Sequence, residues 1–359
     1  MNASIPIFAR RLPDRASLNC YCVGSRRPVR HFSSTLPFTL VYPVLVFSCS
    51  VQDVPEVRAD SSPISQIYVQ KAEKASAEAL DLFFFEDEEG NTLDSYQRVD
   101  EWDGAPVGGA SRSGRKVLVA LANYAHDRYA YGAMNCLQSL SRISFQLSSE
   151  SPQRPLMSGR TNIIAGEKCS LELSPSLASI TLNSICCDFS KRPYSGSSLK
   201  DVNVYLTNVC SEYRPLSSES LSWINMGMYS PSDAAGLSHP EMLKAHIDEV
   251  TSSVLFPNIV LYCYPNEIPE ESLSVHFTRI VIDGTIGGIH CYYPININRE
   301  DFGYVSGPEG IAPGKNYALD ITLTRIGTED PDTPVSSATV TVKTTVRPWN
   351  EFPEYTVLY

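Results

Sequence analysis

The chain has 359 residues, 43% of them hydrophobic, and its 29 basic and 40 acidic residues give a formal net charge of −11. That apolar content excludes a disordered tail, and the length suits about two domains at ~150 residues each. The excess of acid argues against nucleic acid and anionic lipid as partners.

The first organised signal lies at residues 26–49. Arg26, Arg27 and Arg30 precede the apolar run Leu36–Phe47, which Ser48 and Cys49 follow. A basic segment, a short apolar segment and a small residue form the pattern of an export signal. The run is shorter than the ~20 residues of a membrane helix, and Pro37 and Pro43 interrupt it. A cysteine directly after the cut reads as a bacterial lipoprotein signal, in which the Cys49 thiol takes the lipid and becomes the mature N-terminus. Residues 1–48 are then a leader, and residues 49–62, polar and holding Pro55, a tether. Two other readings compete. One is a buried strand with a chance cysteine. The other is an organellar transit peptide, since the first 30 residues hold six Arg, no Lys and one acid. Without the leader, 23 basic and 39 acidic residues remain, a net −16.

Beyond the tether, strands dominate. Ile64 to Gln70 alternates, with Ile67 and Val69 on one face. Lys71 to Ser76 is a loop of small and polar residues. Ala79 to Phe85 is a strand with a wholly apolar end, and Thr92 to Val99 is its partner. Between them Gly90-Asn91 supplies the positive φ of a hairpin loop. The acids Glu86 to Glu89 lack the ligand spacing of an EF-hand. Residues 103–114, rich in Gly and Ser, read as loop. Lys116 to Asn123 is a buried strand. Met134, Leu137, Leu140 and Ile143, each three apart, predict one short amphipathic helix within residues 131–147. Pro155 to Gly159 reads as a turn.

After that point strands recur, with turns between them. They are predicted at 179–185, 201–207, 258–264, 277–282, 288–294, 317–324 and 338–346. Residues 214–250 read as a Ser/Pro-rich insertion with a helix at 240–250. Gly284 to Gly288 reads as a hairpin turn. This pattern predicts a mostly β chain of antiparallel β-sandwich class.

The chemistry-bearing residues form no constellation. There is no GxSxG, HExxH or phosphate-cradling glycine loop, so no enzyme and no cofactor is expected. Apart from Cys20 and Cys22 in the leader and Cys49 at its edge, seven cysteines remain, Cys136, Cys169, Cys186, Cys187, Cys210, Cys263 and Cys291. They show no metal-type spacing and read mostly as small core residues, although export would permit one or two disulfides. Asp320 and Glu329-Asp330 read as a strand edge and a turn. Trp102, Trp223 and Trp349 read as core plugs, or as the lining of a sugar site in a surface glycan-binding or adhesin lipoprotein.

A series of short motifs resembles the fimbrillins (type V pilins) of Bacteroidales. Leu80 to Phe85 with Leu93 to Tyr96 is similar to that family's first hairpin. The stretch Leu118 to Tyr124, the segment Gly132 to Leu140 and Pro155 to Gly159 follow in the family's order. Leu177 to Leu182 is similar to the strand that opens the second domain. Tyr292 to Asn298, Asn316 to Ile321, Thr324 to Gly327 and Val346 to Asn350 complete the series. The resemblance covers residues 63 to 359.

The resemblance implies two transthyretin-like antiparallel β-sandwich domains in tandem, at 63–168 and 169–359. It implies a structural subunit of a cell-surface fimbria, exported as a lipoprotein precursor and held at the outer membrane by its lipid. Its partners would be other pilin subunits and a trypsin-like maturation protease. Cleavage would remove the first strand (Ile64, Ile67, Val69) and open a groove, which a neighbour's C-terminal strand would fill. Lys71 and Lys74 are the candidate cut sites. Arg58 is a third, but cutting there would free only the tether. The donor would be residues 351–359, with Tyr355, Val357 and Tyr359 on one face and Phe352 nearby. In the competing reading this tail closes its own domain as an edge strand.

Overall fold

In a computed structural model the described residues are 63–71, 77–124, 133–300 and 308–349. All of them belong to one compact unit, Ala59–Tyr359. The first seven-stranded sheet uses β1 (Ile64–Lys71), β2 (Ala79–Glu86), β3 (Leu93–Asp100), β4 (Val107–Ala110) and β5 (Arg115–Ala122). Helix α1 (Leu137–Ser141) and the short β6 (Phe145–Gln146) then intervene, and β7 (Met157–Ile164) and β8 (Lys168–Pro175) complete the sheet. Its order is β3-β2-β5-β7-β8-β1-β4.

This sheet folds over itself. β7 and β8 share only the pairs Met157–Pro175 and Ser158–Ser174, so the sheet turns a corner there. Ile67, Val69, Val107, Leu171 and Leu173 from β1, β4 and β8 then meet Leu80, Leu82, Phe84, Leu118 and Ala120 from β2 and β5 in one buried cluster. At the open side the Ser95 hydroxyl of β3 donates to the carbonyl of Ala110 at the end of β4, 2.7 Å away.

The other face of β2 and β5 is buried as well. Phe83, Phe85, Val117, Val119 and Leu121 join a second cluster with Leu137, Leu140 and Leu147. Burial on both faces explains why Leu82 to Phe85 is apolar without alternation.

The remaining strands are β9 (Ala178–Cys187), β10 (Leu199–Thr207), β11 (Val209–Arg214) and β12 (Glu219–Ile224). After α2 (Pro231–Ala234) come β13 (Lys244–Val250), β14 (Ile259–Cys263), β15 (Arg279–Ile286), β16 (Ile289–Asn296), β17 (Lys315–Leu323) and β18 (Val340–Pro348). They form the sheets β14-β9-β17-β18 and β13-β10-β15-β16, while β12-β11-β6 is a small third sheet. Ile180, Leu182, Leu319 and Ile321 of one four-stranded sheet share a cluster with Val202, Val204, Ile280 and Ile282 of the other. The β-sandwich class expected from the sequence is what the chain adopts. Two ladders depart from the antiparallel rule: β1–β8 and β9–β17 run parallel.

Four local expectations need correction. Residues 107–110 are a strand, because β1 supplies a ladder that the Gly-rich sequence does not announce. The residues read as a turn at 155–159 include the start of β7, Met157 to Gly159, each paired with β5. The helix expected in 131–147 shrinks to the five residues of α1; Phe145-Gln146 pair with β11 instead, and a 3-10 turn follows at Leu147–Ser149. The helix expected at 240–250 is a 3-10 turn at Pro240–Met242 followed by β13. Leu243, Ile247 and Val250 have near-helical spacing, yet Ile247 and Val250 pair with Val202 and Leu199 of β10, and sheet context overrides the local pattern.

Candidate functional site

β1 is the element on which the sequence placed most of its functional weight. Its eight residues alternate, with Ser65, Ile67 and Val69 buried and Ile64, Gln66, Tyr68 and Gln70 exposed. Ile67 and Val69 therefore face the core as expected. Ile64, grouped with them in the first strand, points outward and is 68% exposed. Burying Ile67 and Val69 contributes roughly 3–6 kcal/mol gross, from ~1.5–3 kcal/mol per side chain.

The strand lies in a slot with two walls. Residues Gln66 to Lys71 pair in parallel with Lys168 to Leu173 of β8. Ile64 to Ile67 pair antiparallel with Ala110 to Val107 of β4, for which β1 is the only strand partner among the described residues. The slot floor is close-fitting at Gly109. A Cβ there would stand 2.3 Å from Cζ of Phe84 and 2.9 Å from Cδ1 of Ile67, so only glycine lets ring and strand approach this closely. Ser65 is fully buried, and its Oγ accepts the backbone N–H of Gly166, in the β7–β8 turn, at 3.0 Å. Neither the β4 wall nor the Gly166 amide was foreseen; the Gly-Gly of β4 carries no strand signal.

Lys71 is the last residue of β1, half-buried and paired opposite Leu173. Cys49, Arg58, Lys74, Phe352, Tyr355, Val357 and Tyr359 all lie outside the described residues.

The other candidates are not brought together. Trp102 is buried and donates its indole N–H to the Ala105 carbonyl at 2.9 Å. Trp349 is buried against Tyr262, and Trp223 lines a shallow cleft with Ser220, Pro265 and Val275. They stand at three separate positions rather than on one sugar-binding platform. Asp320 accepts from Ser184 at 2.6 Å and from the Asn183 amide. Asp330 accepts from Thr333 at 2.6 Å. In the acidic hairpin, Glu86 pairs with buried Lys116 and Asp87 with Arg115. No group of three or more metal-ligating side chains occurs among the described residues. The seven described cysteines are free thiols, and Cys186 and Cys187 reach opposite ways, to Thr322 and to the Val250 carbonyl.

One buried acid had no signal in the sequence. Glu150, just after the 3-10 turn, accepts the phenol of Tyr264 at 2.9 Å and the amide of Leu156 at 3.2 Å. Burial pushes its carboxyl up to about 7 despite both bonds.

No protein-family model and no curated protein matches the chain. Solved structures do. A fimbrilin from Porphyromonas gingivalis superposes with a TM-score of 0.61 at 16% identity, over 81% of this chain and 98% of that one. A candidate cell-adhesion protein from Bacteroides eggerthii gives 0.58 at 18% identity, over 80% and 96%. The tip fimbrial protein Mfa3 from Porphyromonas gingivalis, with a C-terminal truncation, gives 0.50 at 12% identity, over 80% and 100%. At these identities the likeness is one of fold: this chain has the β-sandwich architecture of fimbrilins and fimbrial tip proteins.

Proposed function

We propose that the chain is a structural, non-enzymatic subunit of a cell-surface fimbria, exported as a lipoprotein precursor through Cys49 and polymerised by replacement of β1. The observation that carries this reading is the position of β1. It completes a core between two walls, and it is joined to the rest of the fold through Lys71 and the small-residue segment 72–76. Cleavage after Lys71 or Lys74 by a trypsin-like protease would free β1 and leave β8 and β4 with unpaired edges. Another subunit's C-terminal segment, residues 351–359, then adds a strand through main-chain hydrogen bonds. Cleavage at Arg58 would leave β1 in place. The fold shared with fimbrilins supports the reading.

In this reading two sandwiches stand in tandem. The expected domains are 63–168 and 169–359; the pairing of β8 with β1 and β7 favours counting β8 with the first of them.

Limited trypsin treatment of the full chain tests the proposal. It should yield a new N-terminus at Ala72 or Ala75 and SDS-resistant ladders, and deletion of residues 351–359 should abolish the ladders. A cut confined to Arg58, or a clean cut after Lys71 or Lys74 with no polymer, would overturn it.

A further inference from the structure

The slot around β1 is not a uniform apolar groove. Its first inward position, Ser65, pairs with Gly109, against whose Cα the ring of Phe84 is pressed. Bulk from the floor already occupies this level of the slot. At the same level the Gly166 amide points at the strand and is satisfied by the Ser65 hydroxyl. The next inward positions, Ile67 and Val69, meet apolar surface from Leu171 and Leu173. The outward positions are exposed and constrain little.

We infer that this slot selects its replacement strand by size and hydrogen bonding at the Ser65 position. The occupant is a strand of a partner subunit running parallel to β8. Its inward side chains begin with a small hydroxyl residue, Ser or Thr, followed two residues later by a branched aliphatic. The inference rests on the strand-replacement reading and adds what that reading leaves open, the register and face of the incoming strand. A slip by one residue would turn the outward side chains into the core. A Tyr at the first position would have to displace Phe84 and would leave the Gly166 amide without its acceptor.

Alternation in the sequence of residues 351–359 offers two sets of side chains. One carries Tyr355, Val357 and Tyr359, the face expected from alternation alone. The other carries Thr356 and Leu358, a small hydroxyl followed two residues later by an aliphatic. The slot takes the second face, with Thr356 in the place of Ser65 and Leu358 in the place of Ile67; residues 351–359 then fill the first two inward positions and reach the Tyr68 position, short of the third.

Two measurements test this. In the first, the trypsin-cleaved full chain is exposed in mild urea to labelled peptides with the sequence of residues 64–71, and exchange is followed by fluorescence polarisation. The parent peptide and Ser65→Thr should bind alike, and Ser65→Tyr should bind at least tenfold more weakly. Equal binding of Ser65→Tyr overturns the selection rule while leaving strand replacement intact. Failure of every peptide to exchange sinks strand replacement and the rule with it. In the second, full-length Thr356→Tyr should lose the SDS-resistant ladder and Tyr355→Thr should keep it. The opposite pair of results overturns the assigned face.

Discussion

Tyr264 donates its phenolic hydrogen to Glu150 at 2.9 Å, joining two residues that lie 114 apart in the chain. The carboxyl is buried, and its second oxygen accepts the Leu156 amide. Desolvation outweighs both bonds and lifts its pKa from an ordinary 4.5 to about 7. In folded chains the group therefore stays protonated over a range in which the unfolded chain has ionised. The folded state binds the extra proton, so stability is greatest below about pH 4.5 and falls as pH climbs to about 7. The shift corresponds to roughly 3 kcal/mol, at ~1.4 kcal/mol per unit. Glu150→Gln keeps the acceptor for Tyr264 and removes the charge. Urea unfolding between pH 5 and 8 should show the wild type losing stability relative to Glu150→Gln. Parallel curves for the two proteins would refute the assignment.

Gly109 is the tightest point of the first core. Gly109→Ala would force a methyl into Phe84 and Ile67 at 2.3 and 2.9 Å. Overpacking of this kind costs typically ~1–3 kcal/mol. The neighbouring Gly108→Ala would touch only the exposed Ile64, at 3.4 Å, and should stay within about 0.5 kcal/mol of the wild type. A comparison of urea midpoints decides the matter, and equal effects of the two substitutions would contradict the packing described.

How much of this was readable from residues alone depended on where each partner sits. Ile67 and Val69 declared themselves through alternation, because a half-buried strand needs nothing else. The unbroken apolar run Leu82 to Phe85 was readable as a strand with an apolar end, but its reason, a core on each face of β2, was not. β4 was unreadable, since Gly108 and Gly109 carry no strand signal and the reason for them, the Phe84 ring, lies on β2. Lys244 to Val250 was misread because the spacing of Leu243, Ile247 and Val250 suits a helix, and only the ladder with β10 decides otherwise. Glu150 was a lone acid in a Ser-rich stretch, and the surroundings that bury it arrive from Tyr264 and Leu156. Ser65 looked like any strand serine until the Gly166 amide, 101 residues away, gave it a role.

Arg279 should respond asymmetrically to substitution. Its side chain is 2% exposed and donates to Glu271 at 2.5 Å, Asp332 at 2.6 Å and Asn296 at 2.9 Å. The two carboxylates are partly exposed and can be rehydrated if the arginine is lost, whereas the buried guanidinium cannot. Breaking such a pair from the side that leaves a buried charge costs ~3–5 kcal/mol, while an apolar replacement of similar volume is often close to neutral. Glu271→Gln combined with Asp332→Asn should therefore lower the unfolding free energy more than Arg279→Met. The reverse order in chemical denaturation would mean that the arginine contributes mainly through its own packing.

Phe83 and Phe84 are adjacent in β2 but fill different cores, Phe83 against Phe85 and Tyr96, and Phe84 against Gly109 beneath β1. Either change to Ala should cost ~3–5 kcal/mol in global stability. Local opening need not follow global stability, because strands detach as separate units when their own contacts are weakened. Phe84→Ala removes the surface on which Ile67 rests and leaves Phe83 in place. Cleavage after Lys71 by dilute trypsin under native conditions should therefore accelerate more in Phe84→Ala than in Phe83→Ala, at matched unfolding free energies. N-terminal sequencing of timed digests, beginning at Ala72, reads this rate directly. Equal acceleration in the two variants would mean that β1 is released only by global unfolding, and its role as a separately detachable strand would fall.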